Sequence, residues 1–485
     1  MRVTILLISF LAACASVYAQ TADDKSYIKA ELTAPGTLAE ALGDRANTID
    51  SLVVEGPIND ADFYTMWSAT FYGKLSAINL EKAKAEDNRV PARAFYRSEQ
   101  FDPDDNMTLY MTNLRNIILG EGIEEIGESA FSYSGHLQEV TLPSTLRRLG
   151  RACFCDCPKL SISPLILPEG LEEIPNRCFM NCKSLSEVVL PSTIKSINNS
   201  AFLSTGVTKI NFPEGLEMIG ETAFYGADLG EVILPESCIN LEGDEQFAFN
   251  RNLKKLLLPD GLTSVPSGIA FECEKLLEVN IPSKVETIGK EAFYRCPLSG
   301  ALTLPEGLTA IEAKAFYGCS GLTEVTFPST LKTLGAESCA GWSGLKKMYC
   351  RAAIPAECVM TGITGPFGDP DTSVNGGILP NIPIYIPVGS IDRYRKADGW
   401  NIFFNYIESE DLSAIETVTD GANATVTCNG GKIIINAKAG KGYSVYSLDG
   451  RVIASGTTDG AESGVAVNPG CYIVTVAGNA VKIKM

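Results

Sequence analysis

The sequence is poor in histidine, in tryptophan and in positive charge. Its 485 residues include one histidine, His136, and three tryptophans, and 40 Lys and Arg stand against 58 Asp and Glu, for a formal net charge of −18. A single histidine excludes metal sites and proton relays that need several imidazoles. The negative charge opposes broad contact with nucleic acid or anionic lipid, because such binding needs many cations to neutralise phosphates.

Catalytic motifs are missing as well. The chain has no phosphate-binding glycine loop, zinc-protease helix, nucleophile elbow or kinase signature. His136 stands in the motif YSGHLQEV, before a predicted strand, where we expect a solvated turn residue. Any carboxylate pair chosen among 58 acids would be arbitrary. We therefore predict a protein that is not an enzyme, with no catalytic residue, no cofactor and no metal.

One long apolar run is present, and it lies at the N-terminus. Arg2 is followed by VTILLISFLAACASVYA, with small residues Val17 and Ala19 before Gln20. This pattern predicts a signal peptide at 1–19 and a mature protein that is secreted or on the outer cell surface. We expect the mature protein to be a monomer. The segment LAAC at 11–14 also resembles a lipoprotein cleavage box, so lipidation of Cys14 stays open. Membrane contact is expected only through such surface anchoring.

Proline and phenylalanine recur together along most of the chain. Prolines follow apolar pairs at spacings of 22 to 25 residues: Pro143, Pro168, Pro191, Pro213, Pro235, Pro259, Pro282, Pro305 and Pro328. Phenylalanines keep the same period, with Cys339 in the last slot: Phe131, Phe154, Phe179, Phe202, Phe224, Phe249, Phe271, Phe293 and Phe316. Ten such units with apolar residues at fixed places predict a leucine-rich repeat solenoid, in which each coil packs on its neighbours.

The unit at 185–202, LSEVVLPSTIKSINNSAF, shows how one coil is built. Leu185, Val188 and Leu190 have the spacing of a short strand with inward apolar residues. Pro191 ends the strand, because it has no amide donor. We expect the following apolar residues to return to the core and Phe202 to close the coil. The fold class is thus a parallel β-sheet on one face with an irregular or short helical return side.

Most cysteines follow the repeat. Cys157, Cys182, Cys296 and Cys319 stand three residues after a phenylalanine, and Cys153 and Cys178 stand just before one. We expect them to act as small buried apolar residues. Stacked neighbours lie within disulfide range, but parallel Cβ vectors disfavour bridging. The alternative is a zinc site in CFCDC at 153–157, completed by Cys178 or Cys182, because thiolates bind zinc tightly.

The segments EGLEMIGETAF (214–224) and SKVETIGKEAFYRC (283–296) resemble the BspA-type leucine-rich repeats of surface proteins. The likeness covers residues 115–345. Residues 20–114 resemble the cap and divergent first coils of those proteins. Residues 346–407 are similar to their closing cap, with Tyr394, Trp400, Phe403 and Phe404 expected to cover the last coil. Relatives of this type are implicated in adhesion to host or bacterial surfaces, and the resemblance implies the same class of function.

The pattern changes after residue 407. An acidic linker is predicted at 408–422, and short β-rich runs between turn motifs predict a small antiparallel β-sandwich at 423–485. Asp449-Gly450 is the strongest hairpin signal among them. The segments VYSLDGRVIASG and NPGCYIVTVAGNAVKIKM resemble the C-terminal sorting domain of type IX secretion substrates in the Bacteroidota. The alternative is an end domain that only stabilises the chain.

Two outward columns of the predicted sheet carry the candidate site. One column alternates in charge along the coils: Glu187, Lys209, Glu231, Lys255 and Glu278, then Glu324 and Lys347. We interpret it as a ladder of ion pairs that keeps the register. The next column holds Val189, Asn211, Ile233, Leu257, Asn280, Thr303 and Thr326. Exposed apolar residues often mark contact sites, so we predict ligand contact at Val189, Lys209, Ile233, Lys255 and Leu257.

Two functions stay open from the sequence. The first is a non-enzymatic exported binding protein whose sheet face engages another macromolecule, a protein of host or bacterial origin, as in adhesion. The alternative is a glycan-binding surface protein for nutrient capture. Sugars prefer exposed Trp and Tyr platforms, and the sheet columns are expected to offer none. Protein contact is therefore the leading prediction.

Overall fold

The computed structural model describes residues 26–97, 111–362, 364–368, 378, 380–410, 424–429, 432–437, 442–447, 452–458, 463–466, 471–476 and 479–484. The predicted signal peptide, Cys14, Asp449-Gly450 and residues 411–422 of the predicted linker lie outside these ranges. None of the helices within them has the length and apolar character that a membrane span requires.

The chain forms two compact units. The first unit comprises the described residues up to 262 together with 266–280, and the second comprises 263–265 and the described residues from 281 onward. Each contains stacked coils with parallel strands, and the second also contains the antiparallel tail. The predicted solenoid with a small C-terminal antiparallel β region is confirmed.

Short strands alternate between the two sides of the coils. In chain order the strands are β1 (Tyr27–Glu31), β2 (Ser51–Ile58), β3 (Ala77–Ala85), β4 (Arg89–Val90), β5 (Asn116–Ile118), β6 (Glu125–Ile126), β7 (Glu139–Thr141), β8 (Arg148–Leu149), β9 (Leu165–Ile166), β10 (Glu173–Ile174), β11 (Glu187–Val189), β12 (Ser196–Ile197), β13 (Lys209–Ile210), β14 (Met218–Ile219), β15 (Glu231–Ile233), β16 (Asn240–Leu241) and β17 (Lys255–Leu257). They continue as β18 (Ser264–Val265), β19 (Glu278–Val279), β20 (Thr287–Ile288), β21 (Ser299–Thr303), β22 (Ala310–Ile311), β23 (Gly321–Phe327), β24 (Thr333–Leu334), β25 (Lys347–Cys350), β26 (Glu357–Cys358), β27 (Ile384–Pro387) and β28 (Tyr406–Ser409).

Helices occur near the two ends of the coils. They are α1 (Leu38–Leu42), α2 (Asp60–Phe71) and α3 (Ile391–Lys396), with 3₁₀ turns at Gly43–Arg45 and Glu86–Asn88. The start of α2 is held by a capping box. The side chain of Asn59 accepts a hydrogen bond from the backbone of the first helical turn, and the side chain of Asp62 accepts one from the backbone amide of Asn59. The carboxylate of Asp62 is fully buried and also accepts from the amide of Leu38 at 2.9 Å, which ties α1 to α2.

The parallel sheets follow the sides of the coils. In the first unit the front side carries sheets of order β1-β2-β3-β5-β7, β9-β11-β13 and β15-β17-β19, and the return side carries β4-β6-β8 and β10-β12-β14-β16. In the second unit the front sheet is β21-β23-β25-β27-β28 and the return sheet is β18-β20-β22-β24-β26. Strands β25, β27 and β28 come from the predicted closing cap. Because β28 runs to Ser409, the predicted linker does not begin at 408.

The coil at 185–202 has the predicted inside. Leu185, Val188 and Leu190 are at most 3% exposed, whereas Val189 between them is 36% exposed. Val188 pairs with Leu165 on one side and with Ile210 on the other. This parallel register places equivalent residues of successive coils beside each other, which is why the period of the sequence becomes a column in space.

A column of phenylalanine rings runs through the first unit. Its rings stack at centroid distances of 5.2 to 5.6 Å in the order Phe95, Phe131, Phe154, Phe179, Phe202, Phe224 and Phe247. Phe293 and Phe316 stack at 5.3 Å in the second unit. The predicted stacking of these rings is therefore present, as offset contacts between fully buried side chains.

The prediction was wrong for Phe249 and Phe271. Phe247, not Phe249, stacks on Phe224, and its amide donates to Ile269 at 2.9 Å, which puts Ala270 in the ring slot of the next coil. Phe249 and Phe271 are half-exposed and contact each other at 5.3 Å beside the column. The spacing to the next slot already contained the answer, because Asn250 and Cys273 stand three residues after Phe247 and Ala270.

The return side depends on residues in the left-handed backbone region. In most coils one such residue lies two positions before the ring slot and another lies two positions after it, as with Ser129 and Tyr133 around Phe131, at φ of 53° and 58°. The alternation turns every second amide toward the next coil: Ser129, Phe131 and Tyr133 donate to Arg151, Cys153 and Cys155 at 2.8 to 2.9 Å. These bonds offset the cost of non-glycine residues in this region.

The closing segment covers the core with three of the four predicted aromatics. Tyr394, Trp400 and Phe403 are at most 2% exposed, and Tyr394 and Trp400 donate to the carbonyls of Ala352 and Ala356. Phe404 is 73% exposed, so its predicted role in covering the last coil was wrong. Its amide donates to the carbonyl of Pro380 at 3.0 Å, which ties its backbone to the preceding segment while its side chain lies in solvent.

The tail consists of two antiparallel sheets. Its strands are β29 (Ala424–Asn429), β30 (Lys432–Ala437), β31 (Gly442–Ser447), β32 (Val452–Thr457), β33 (Ser463–Ala466), β34 (Cys471–Val476) and β35 (Asn479–Lys484). They pair in the orders β29-β30-β33 and β32-β31-β34-β35. Ile433, Ile435, Val445 and Val474 are fully buried, so each sheet has an inward side.

Candidate binding surface

The charged column forms ion pairs between neighbouring strands. Lys209 reaches Glu187 at 2.6 Å and Lys255 reaches Glu278 at 2.7 Å in the first unit, and Lys347 reaches Glu324 at 2.7 Å in the second. β13 and β15 belong to different sheets, so the column is interrupted between Lys209 and Glu231. Each exposed pair contributes a few tenths of a kcal/mol, which suits a role in strand register.

An apolar strip lies beside this column in the first unit. We define it as Ile166, Val189, Ile233 and Leu257, one residue on each of β9, β11, β15 and β17. Ile233 is 56% exposed, Ile166 is 63% exposed and Leu257 is half-buried. Sequence reasoning missed Ile166, although it precedes Leu167-Pro168 just as Val189 precedes Leu190-Pro191. The strip crosses four coil steps of about 4.8 Å each.

The asparagines of the same column point to the backbone rather than to solvent. Asn211 accepts from the amide of Leu190 at 2.7 Å and donates to its carbonyl at 2.9 Å. Asn280 makes the same two bonds to Leu258, each at 2.7 Å. Where the column holds an apolar residue, a backbone carbonyl takes this place, as when Leu167 donates to Val189 at 3.0 Å. Asn211 therefore serves the coil and leaves a gap within the strip, and Asn280 does the same one coil beyond the end of the strip.

The two predicted lysine contacts differ in availability. The side chain of Lys209 is 75% exposed, and it borders the strip next to the gap at Asn211. The side chain of Lys255 is only 29% exposed and is held by Glu278. Lys209 is thus the more accessible of the two cations.

Tyrosines occupy the outward column of the second unit, contrary to the expectation that the sheet columns have no aromatics. The column runs Thr326, Tyr349, Tyr385 and Ile407 across β23, β25, β27 and β28. The rings of Tyr349 and Tyr385 stack at 4.8 Å. Lys347 donates to the hydroxyl of Tyr349 at 3.0 Å, and its hydrogen bonds to Glu324 and Tyr349 raise the pKa of the lysine. Tyr349 follows Thr326 by one repeat period, whereas Tyr385 lies outside the repeat period of the sequence.

A family model decides what these coils are. The model of the BspA-type leucine-rich repeat region matches residues 105–230 and 242–355, with six copies. The matched coils are BspA-type leucine-rich repeats. Ile166, Val189, Leu257 and Tyr349 lie within the matched residues, and Ile233 lies in the short gap between the two matched ranges. Tyr385 and the tail follow them along the chain. A comparison with curated proteins gives no match.

Several solved structures are similar to parts of this chain. A leucine-rich repeat protein from Bacteroides ovatus is 23% identical, with a TM-score of 0.46 over 62% of this chain and 78% of that one. A leucine-rich cell surface protein from Faecalibacterium prausnitzii is 20% identical, with a TM-score of 0.34 over 54% and 82%. The pneumococcal vaccine antigen PcpA is 18% identical, with a TM-score of 0.42 over 68% and 85%.

His136 and several thiols of the BspA-type repeats are engaged in structure. Among the described residues no group of three or more His, Cys, Asp or Glu is arranged to hold a metal ion. His136 is half-buried rather than solvated, and its Nδ1 lies 3.1 Å from the carbonyl of Thr112. Burial raises the pKa of Cys157 well above its usual value and that of Cys273 to about 12, so these thiols are poor nucleophiles.

Proposed function

We propose that this chain is a non-enzymatic, exported binding protein, at the cell surface or secreted, that engages another protein through the apolar strip. The observation that carries the proposal is the exposure of Ile233 at 56% and Ile166 at 63% on two front sheets whose inner residues are buried. Leucine-rich repeat proteins generally bind macromolecules. The solved neighbours include a cell surface protein and a vaccine antigen, which supports an extracellular location.

The strip suits a protein partner because of how it is built. The strands beneath it are paired with neighbours, so their backbone groups are engaged and a ligand meets side chains. The ladder bonds hold those side chains in a row, which reduces the entropy lost on binding. Lys209 beside the row adds one positive charge, and its ion-pair partner Glu187 lies on the same surface. Apolar residues with a polar border are typical of protein interfaces.

Glycan binding is supported less well. All three tryptophans are at most 1% exposed, so none offers a platform for a sugar ring. Tyr349 and Tyr385 each use one ring face to stack on the other at 4.8 Å. Thr326 and Ile407 are the next residues of the column beyond them. The tyrosines therefore present ring edges and hydroxyls to solvent, which suits contacts to a protein better than stacking on a sugar.

The double variant Ile233→Ser/Leu257→Ser is expected to weaken binding at least tenfold with a change in Tm of no more than about 2 °C, because surface substitutions usually cost under about 0.5 kcal/mol each. The ligand is first selected by screening the mature chain against host matrix proteins and a glycan array, and affinity is then measured by surface plasmon resonance. The matched control is Ile239→Ser, which removes an isoleucine of the same 56% exposure outside the strip. Unchanged affinity in the double variant would move the site elsewhere, and a large fall in Tm would show that the strip is covered.

The tail is proposed to direct sorting to the cell surface. Its two antiparallel sheets are separate from the parallel sheets of the coils. Deletion of residues 423–485 is expected to leave the coils folded, with the melting transition of the repeats retained, while the protein accumulates in the periplasm. Protease accessibility on intact cells and fractionation measure the location. Surface display that is undiminished by the deletion would favour a tail that only stabilises the chain.

A further inference from the structure

Two buried thiols on neighbouring coils face each other. The Sγ atoms of Cys153 and Cys178 lie 3.4 Å apart, and both side chains are fully buried. Each stands directly before a ring of the phenylalanine column, in the slot that Ala130 and Ala201 fill in adjoining coils. Because the same slot in the two flanking coils holds alanine, no bulky side chain there prevents the two sulfurs from approaching each other.

A second pair on the same two coils provides an internal comparison. Cys157 and Cys182 have the same sequence separation as Cys153 and Cys178 and also occupy one column. Each donates its S–H to a backbone carbonyl instead, Cys157 to Phe131 and Cys182 to Phe154, both at 3.1 Å. Cys273 does the same with Phe247 at 3.2 Å. These thiols point to a backbone carbonyl. Equal sequence spacing therefore does not make the sulfurs of Cys157 and Cys182 face each other as those of Cys153 and Cys178 do.

The backbone holds the first pair at bonding range. The amide of Phe154, next to Cys153, donates to the carbonyl of Cys178 itself at 3.0 Å, which fixes the two coils at this point. Stacked coils set Cα atoms about 5 Å apart, inside the range of about 4.4–6.8 Å that disulfides span. A bond of about 2.05 Å then requires the sulfurs to approach by less than 1.5 Å, roughly the reach of a χ1 adjustment.

We propose that Cys153 and Cys178 form a disulfide that joins two successive coils when the chain folds in the presence of a disulfide oxidant. The thiolate of one cysteine attacks the disulfide of the oxidant and releases one thiolate from it. The thiolate of the other cysteine then attacks the mixed disulfide and releases the second. One S–S bond forms in the chain and one breaks in the oxidant, which leaves as two thiols carrying the two protons. The exchange precedes closure of the ring column, since both sulfurs are inaccessible afterwards.

The test is oxidative refolding of the full chain with oxidised glutathione, followed by alkylation and trypsin digestion. Trypsin releases residues 152–159 and 178–183, which contain Cys153 and Cys178 together with further cysteines. The expected product is one linked peptide pair, two hydrogens lighter than the sum of the separate peptides. Reduction of the refolded protein is expected to lower Tm by about 5–10 °C, because the link closes a loop of 24 residues between the two coils.

Variants that the repeat itself tolerates assign the link. Cys153→Ala and Cys178→Ala place the residue of the adjoining coils in this slot, and each is expected to abolish the linked pair. Cys182→Thr is the matched control, because Thr205 fills that slot in the next coil and donates to Phe202 at 2.9 Å. This control is expected to keep the link. Recovery of both peptides fully alkylated after oxidative refolding, or a link that survives in Cys153→Ala, would overturn the proposal. The experiment uses purified chain, so its result does not depend on where the protein is exported.

Discussion

Phe202→Ala is expected to lower the free energy of unfolding of the first unit by about 3–5 kcal/mol. The ring is fully buried and stacks on Phe179 at 5.3 Å and on Phe224 at 5.2 Å. The substitution removes both contacts and leaves a cavity that the neighbouring coils fill only in part, because their spacing is set by backbone hydrogen bonds on each side. Chemical denaturation followed by circular dichroism measures the loss.

Phe249→Ala is the matched control for the ring column. Phe249 lies two coils further along and is half-exposed, with tilted ring contacts to Tyr225 and Phe271. Its removal is expected to cost under about 2 kcal/mol, since part of the side chain is already in water. A loss at Phe249 equal to that at Phe202 would contradict the assignment of Phe247 to the column.

Asn250→Leu is expected to lower the free energy of unfolding by about 3–5 kcal/mol, through unsatisfied backbone groups rather than a cavity. The side chain of Asn250 is fully buried, donates to the carbonyls of Phe224 and Phe247 at 2.7 and 2.9 Å, and accepts from the amide of Leu229 at 3.1 Å. Leucine has a similar volume but leaves the amide of Leu229 without a partner and removes one of the two hydrogen bonds that each carbonyl accepts. Thermal and urea denaturation of the variant measure the change.

Asn250→Cys separates hydrogen bonding from packing at this position. Cys273 fills the same slot one coil later and donates to the carbonyl of Phe247 at 3.2 Å. Cysteine at 250 is therefore expected to keep the bond to Phe224 and to cost less than half as much as leucine. If cysteine and leucine destabilise equally, the bond to Leu229 or to Phe247 carries most of the effect of Asn250.

The inside of each coil was predictable from sequence because it depends on local alternation. Leu185, Val188 and Leu190 are buried as their spacing requires, and the same alternation exposes Val189. The ion pairs of the charged column were also predictable, since a parallel sheet places residues one period apart side by side. The strip residue Ile166 follows the same rule, since it precedes Leu167-Pro168, but the predicted outward column began one coil later, at Val189.

Other features depend on the neighbouring coil. In QFAFN at 246–250 either phenylalanine has a plausible position, and the choice of Phe247 follows from stacking on Phe224 and from the bonds of Asn250. Asn211 reads as an outward residue, yet its amide turns to Leu190 because the backbone there offers both a donor and an acceptor. Neither outcome is encoded in the alternation of the strand itself.

The sequence by itself determined a stack of coils, the inward positions of each strand and a change to antiparallel strands in the tail, because these follow from periods within one segment. The tertiary structure decided which ring enters the column, which asparagines face the backbone, where tyrosines meet on the second front sheet and which thiols approach each other. Those outcomes depend on atoms from adjacent coils, 22 to 25 residues apart in the repeats, whose hydrogen bonds and packing select one of several side-chain positions that a single coil allows.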